Sequence, residues 1–147
     1  MKRRDFIGVV MAGAFVVGKA TASTAIDVYK DPTCGCCGKW IEHLRADGFI
    51  ARVNETRALN AFKVQVGVPA ALASCHTALI EGYVIEGHVP PTEIRKLLAE
   101  RPKALGLAVP GMPATAPGMD APHGPGYDVL LFQADGTTRV YRSYPRT

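Results

Sequence analysis

Ile26-Asp27-Val28-Tyr29-Lys30-Asp31-Pro32-Thr33-Cys34-Gly35-Cys36-Cys37-Gly38-Lys39-Trp40 decides both how the chain folds and where its chemistry sits. Residues 26–30 alternate and carry β-branched side chains, which reads as a first strand. Asp31-Pro32-Thr33 breaks it, because proline has no N–H to give a ladder. A helix follows, with Trp40, Ile41 and Leu44 on one face and Gly48 as its stop. Three sulfurs therefore stand where a strand turns into a helix. Free N–H groups and the positive end of the helix dipole stabilise thiolates at such a place, and Lys39 adds charge nearby.

Working outward, residues 49–53 read as a second strand, and Thr56 as the cap of a second helix bearing Leu59, Phe62 and Val66. Gly67 and Pro69 end that helix. Residues 77–80 and 83–89 make a hairpin about Glu81-Gly82. Pro91 opens a third helix with Ile94, Leu97 and Leu98 inward, and Pro102 terminates it. The order βαβαββα predicts an α/β chain of the thioredoxin-like class, with a right-handed crossover after the first strand. Residues 102–126 are rich in Pro and Gly without periodicity and read as one long loop. Residues 128–133 and 138–144 then form an added C-terminal β-hairpin through Ala134-Asp135-Gly136-Thr137.

The 147 residues are 48% hydrophobic and 20% charged, which excludes disorder for the whole and provides for one core. The start differs from the rest. Met1-Lys2-Arg3-Arg4-Asp5-Phe6-Ile7, an apolar run over residues 8–18 and small residues up to Ala25 are the parts of an export signal peptide. The apolar run falls short of the about 20 residues that a spanning helix needs. Arg3-Arg4 before a mild segment interrupted by Gly8, Gly13 and Gly18 is twin-arginine-like. Cleavage after Ala22 and cleavage after Ala25 both fit. The chain divides into a leader, 1–25, and one domain, 26–147, expected in the periplasm with no stable membrane span after cleavage. Taking Lys2, Arg3, Arg4, Lys19 and Asp5 from the 17 basic and 13 acidic side chains leaves 13 and 12, so the formal +4 falls to +1. No basic cluster with interleaved aromatics remains, which speaks against a nucleic-acid partner.

Cys34 and Cys37 have the spacing of a redox pair, with Cys34 as nucleophile and Cys37 as resolving thiol. Cys36 has no task in that scheme. Three adjacent soft donors instead select Cu(I), or zinc where the geometry is tetrahedral. In a thioredoxin-like fold the start of the third strand lies beside the Cys-x-x-Cys loop, so Cys75 is expected near Cys34 and Cys37. The four cysteines also fit two structural disulfides in an exported chain. His76, next to Cys75, and His88 are each a candidate ligand or supporting donor, and each also reads as a satisfied histidine. His43 reads as a surface or packing residue, His123 as a solvated loop residue and Trp40 as core. Met112 and Met119 both sit in Pro-Gly-Met, where a thioether serves Cu(I) or docks the loop onto the fold.

Residues 29–40, Ser74-Cys75-His76-Thr77-Ala78, Glu86-Gly87-His88-Val89-Pro90 and Gly106-Leu107-Ala108-Val109-Pro110-Gly111-Met112-Pro113 resemble the copper-resistance family called CopG over nearly all of the mature chain. The resemblance implies a periplasmic protein of thioredoxin-like fold that handles copper ions, alongside other periplasmic copper-handling or redox proteins. It implies a copper site built from Cys34, Cys36, Cys37 and Cys75, with His76, His88 and Met112 contributing, and the exchange between Cu(I) and Cu(II) that is proposed for such proteins. The expectation is a periplasmic copper-resistance protein that binds Cu(I) on clustered cysteine thiolates. Its rival is a thiol–disulfide oxidoreductase using Cys34 and Cys37.

Overall fold

The computed structural model describes residues 23–147; the greater part of the expected leader, residues 1–22, lies outside it. The chain runs β1 (Ala25–Lys30), α1 (Gly35–Ala46), β2 (Ile50–Glu55), α2 (Leu59–Gln65), a 3₁₀ turn (Ala70–Leu72), β3 (His76–Ile80), β4 (Tyr83–Glu86), α3 (Pro91–Glu100), β5 (Gly106–Ala108), β6 (Tyr127–Phe132) and β7 (Thr138–Tyr144). Up to α3 this is the expected βαβαββα order. All seven strands join one mixed sheet in the order β2-β1-β3-β4-β5-β6-β7. β1 pairs in parallel with β2 and antiparallel with β3, and β3 pairs antiparallel with β4. No helix among the described residues is long and apolar enough to cross a membrane.

Sequence periodicity explains most of this. β1 alternates between half-buried and buried positions, and α1 buries Cys37, Trp40, Ile41 and Leu44, the spacing of one helical face. Gly48, at φ +93°, turns the chain out of α1 into β2. Glu81 and Gly82, at φ +44° and +87°, make the tight β3–β4 turn. Pro91 occupies the first turn of α3, where its missing N–H costs no intrahelical bond. Tyr141 and Tyr144 of β7 donate hydrogen bonds to Glu100 and Glu93, tying the last strand to α3.

Three expectations need correction. Residues 102–126 are not one loop, because Gly106–Ala108 forms β5, parallel to β4 and fully buried. Three residues are too few to display a period, and the pairing is supplied by the neighbouring strand. A Cβ on Gly106 would lie 1.7 Å from the Val84 carbonyl oxygen, so only glycine admits this close approach. Through β5 the C-terminal hairpin becomes part of the main sheet rather than an appendage. Second, Thr56 does not cap α2: its Oγ1 accepts from the N–H of Ala58, which is itself the cap position, at 3.0 Å, and the helix begins at Leu59. Third, the hairpin's second strand stops at Glu86: Gly87 still donates its N–H to the His76 carbonyl at 3.1 Å, but its φ of +76° turns the chain out of the strand.

The sheet has a packed cluster on each face. Ile26, Val28, Ala78, Ile80, Ile85 and Leu107 pack with Trp40, Leu44, Ile94 and Leu97 of α1 and α3. Val84, Ala108 and Phe132 pack with Val68 and Leu72 on the other. Strand alternation places His76 with the first cluster, and Thr77 and Glu86 toward α2. There α2 contributes a buried lysine. Leu59, Phe62 and Val66, the apolar residues of this helix named above, are half-buried, with Phe62 stacked on Tyr29 at 4.0 Å. Lys63 Nζ pairs with Glu86 Oε1 and donates to Thr77 Oγ1 at 2.9 Å. Thr77 Oγ1 donates to Glu86 Oε2 at 2.6 Å, and the Ser74 N–H donates to Glu86 Oε1 at 2.7 Å.

Two outcomes follow for urea unfolding. Gly106→Ala forces β4 and β5 apart and is expected to lower stability by about 3 kcal/mol or more. Glu86→Gln leaves the buried Lys63 without its counter-charge, at a cost of about 3–5 kcal/mol. Lys63→Met with Glu86→Gln removes the lysine charge while an amide oxygen still accepts from Ser74, and is expected to recover most of the loss.

Candidate metal centre

The Cys34 N–H donates to the Asp31 carbonyl at 3.1 Å, and Asp31 Oδ1 accepts from the Thr33 N–H at 2.8 Å and its hydroxyl at 2.6 Å. Those hydrogen bonds hold the Asp31 carboxyl below its usual range. This turn delivers Cys34 as the residue preceding α1, and Cys36 and Cys37 follow in the first helical turn. Cys34 and Cys37 are joined as a disulfide with Cα atoms 5.6 Å apart, whereas Cys36 and Cys75 are free thiols. The expected four thiolates therefore require that bond to be reduced.

The topology brings Cys75 to this place as expected, because β3 runs antiparallel beside β1 and begins where β1 ends, with His76 opposite Lys30. Cys36 Sγ lies 3.9 Å from Cys75 Sγ, 3.5 Å from Cys34 Sγ and 4.0 Å from Met112 Sδ. Cys75 Sγ in turn lies 3.3 Å from His76 Nδ1 and 3.1 Å from His88 Nε2. Two overlapping donor groups result: Cys34, Cys36, Cys37 and Cys75, and Cys75, His76 and His88, each with its donor atoms within 4.8 Å of one another. Cys75 belongs to both.

Burial and hydrogen bonding set the protonation of this cluster. His88 Nδ1 is 2.7 Å from the Pro117 carbonyl, which can only accept, so Nδ1 carries the proton and the Nε2 lone pair faces Cys75. Burial lowers the pKa of His88. His76 is fully buried, and burial, helped by the charges of His88 and Lys63, holds its pKa well below the usual value. Both rings are neutral at pH 7. Burial and the neighbouring Cys36 push the Cys75 thiol up to about 12. His76 Nε2 has no hydrogen-bond partner among the described residues, while its ring packs on Trp40 with centroids 4.2 Å apart. Trp40, core as expected, donates from Nε1 to the Val89 carbonyl at 2.8 Å.

The segment after β5 lies over the cluster as a strap. Ser74 Oγ donates to the Gly111 carbonyl at 2.5 Å, His88 holds Pro117, and His43 Nε2 lies 2.9 Å from Asp120. A Cβ on Gly118 would meet the Trp40 backbone nitrogen at 2.8 Å and His88 Nδ1 at 3.0 Å, so glycine lets the strap sit this close. The strap sets Met112, 54% exposed, at the solvent rim. Met119 is half-buried elsewhere on the strap, where its N–H donates to the Ala116 carbonyl at 3.0 Å. His123 is exposed.

Cys34, Cys36, Cys37, Cys75, His76, His88 and Met112 thus fall in one place. Sequence reasoning missed the groups that hold them: Lys63, Thr77 and Glu86 beneath the cluster, and Ser74, Pro117 and Asp120 around it. Glu86 offered one signal, as a carboxylate following the apolar run Tyr83-Val84-Ile85. The donor chemistry suits a soft metal: thiols, a thioether and an imidazole lone pair, with no carboxylate in either group. The Cys36–Cys75 separation of 3.9 Å is close to the about 3.8 Å between two sulfurs that share a tetrahedral ion at 2.3 Å.

A family model described as "Protein of unknown function, DUF411" matches residues 72–119, the stretch from Leu72 through the strap. No curated protein matches the chain. Two solved structures, "Copper resistance protein copG- Form 2" and "Copper resistance protein copG- Form 1", share 43% identity with it at a TM-score of 0.79. Each covers 84% of this chain, over 99% and 98% of their own lengths. At that identity, over almost the whole length of those proteins, this chain belongs to the CopG copper resistance protein family.

Proposed function

We propose that this protein binds copper as Cu(I) in the periplasm, as part of copper resistance. The observation that carries the reading is the convergence of Cys36, Cys75, Met112 and the bare Nε2 of His88 on one half-buried surface. In this reading Cys36 and Cys75 are the principal ligands, Cys34 and Cys37 join them once their disulfide is reduced, and His76, His88 and Met112 complete the set. Soft sulfur favours Cu(I), and zinc is the competing ion. Exchange of copper between Cu(I) and Cu(II) on the same sulfurs, with periplasmic copper-handling or redox proteins as partners, belongs to the same proposal. So does a thioredoxin-like fold, supported by the β2-β1-β3-β4 strand order and directions. The metal-binding domain takes in residues 26–147, and the twin-arginine-like export signal lies within residues 1–25. The strand pairing favours cleavage after Ala22, because the Thr24 carbonyl accepts from the Ile50 N–H at 3.0 Å and Ala25 opens β1.

A second reading is favoured by one observation, the Cys34–Cys37 disulfide at the start of a helix. That bond is the oxidised state of a thiol–disulfide oxidoreductase, with Cys34, the more exposed sulfur, as the one attacked. This reading requires turnover of a disulfide substrate with Cys36 dispensable.

Anaerobic loading of the reduced chain with Cu(I), desalting and metal analysis separate the two. The copper reading expects retained copper, reduced at least twofold in Cys36→Ser. No retained copper, or retention unchanged in Cys36→Ser, overturns it. The high pKa of Cys75 adds a pH dependence. The thiol is protonated at neutral pH, so capture must displace its proton, while neutral His88 has none to lose from the lone pair its Nε2 offers. Apparent affinity is expected to rise with pH between 6 and 8 by about tenfold per unit for each thiol displaced. The proton release, followed with an unbuffered indicator, should fall by about one per chain in Cys75→Ser.

A further inference from the structure

The two free thiols have a relation of their own. All four cysteines of the chain lie in this cluster, and closure of Cys34–Cys37 leaves Cys36 with Cys75 as its one remaining thiol partner. Their sulfurs are 3.9 Å apart, both are half-buried rather than sealed, and Met112 at the rim is more than half exposed. A disulfide requires the sulfurs to approach to about 2.05 Å, a closure of under 2 Å from where they stand. The two residues lie on separate elements, one in the first turn of α1 and one just before β3.

We propose that Cys36 and Cys75 form a second, reversible disulfide, so that the cluster stores four electrons as two dithiol pairs and closes its own metal-binding surface when fully oxidised. The oxidant is a small-molecule disulfide, for which oxidised glutathione is the probe. The Cys36 thiolate attacks one glutathione sulfur, forming a mixed disulfide and expelling a glutathione thiolate. Cys75 then attacks the Cys36 sulfur of that mixed disulfide; the Cys36–Cys75 bond forms, the second glutathione leaves as a thiolate, and the Cys75 proton ends on it. Two protein thiols are oxidised and one glutathione disulfide is reduced to two thiols. Free thiols number four, two or none as the pairs close. In the last state only His76, His88 and Met112 remain as donors. The consequence for metal rests on the copper reading above, whereas the disulfide itself does not.

The test uses the full chain stripped of metal, first with Cys34–Cys37 closed. After incubation with oxidised glutathione, acid quenching, maleimide labelling and intact mass measurement, labelled thiols are expected to fall from two to zero with no glutathione retained. A non-reducing digest should contain Cys36 joined to Cys75, and dithiothreitol should restore the thiols. In Cys75→Ser the reaction should stop with glutathione held on Cys36. Two thiols that persist in the wild type, glutathione that stays on it, or Cys36 joined to Cys34 overturns the proposal. A second arm offers Cu(I) to the fully oxidised and fully reduced forms, with the oxidised form expected to retain less than a tenth as much. Equal retention overturns the closing of the surface. No copper on the reduced form overturns the copper reading and leaves the second disulfide to the thiol count.

Discussion

The buried pair of Lys63 and Glu86 is the constraint on which the cluster's geometry depends. Glu86 is fully buried at the end of β4, and Lys63 reaches it from α2 across the face of the sheet. An ion pair taken out of water gains little net stability, since desolvation offsets most of the attraction. Its effect here is positional. Glu86 also accepts from the Ser74 N–H and the Thr77 hydroxyl, so one carboxylate fixes the residues on both sides of Cys75 and His76. The cluster lies over one end of the sheet, and the network that holds it lies on the face toward α2. Strand alternation makes this arrangement possible by sending His76 and Thr77 to opposite faces.

The strap supplies the other half of the enclosure. Its hold is polar and local: Ser74 to Gly111, His88 to Pro117 and His43 to Asp120. The second of these also settles a chemical question, because a backbone carbonyl on Nδ1 leaves the lone pair of His88 on the nitrogen that faces Cys75. Gly118 permits the contact by leaving room for the Trp40 backbone and the His88 ring. The Pro/Gly composition of residues 109–126 is what a chain needs to follow such a path without regular hydrogen bonding.

Much of this was legible from residues alone, and the exceptions share a physical cause. β1, α1, the β3–β4 hairpin and α3 announce themselves because each carries a period or a turn residue within its own length. The same reading gathers Cys75 to the Cys34–Cys37 junction, because antiparallel pairing of β3 with β1 leaves it nowhere else to go. What could not be read depends on partners distant in sequence. β5 is a strand because β4 offers it a ladder, and Lys63 is buried because Glu86 awaits it across the sheet; on its helix it looks like any solvated lysine. The pairing state of the cysteines is likewise a property of assembled distances and of oxidation, not of spacing.

The Cys34–Cys37 bond has a further consequence, in its reach. It joins residues three apart, within a turn that Asp31 and the start of α1 already shape. A loop so short removes little freedom from the unfolded chain, about 2 kcal/mol against nearly 5 for a loop of about 100 residues. The bond is thus no structural staple, and two packed clusters flanking a seven-stranded sheet hold the architecture without it. Opening it changes the chemistry of one surface and leaves the scaffold standing.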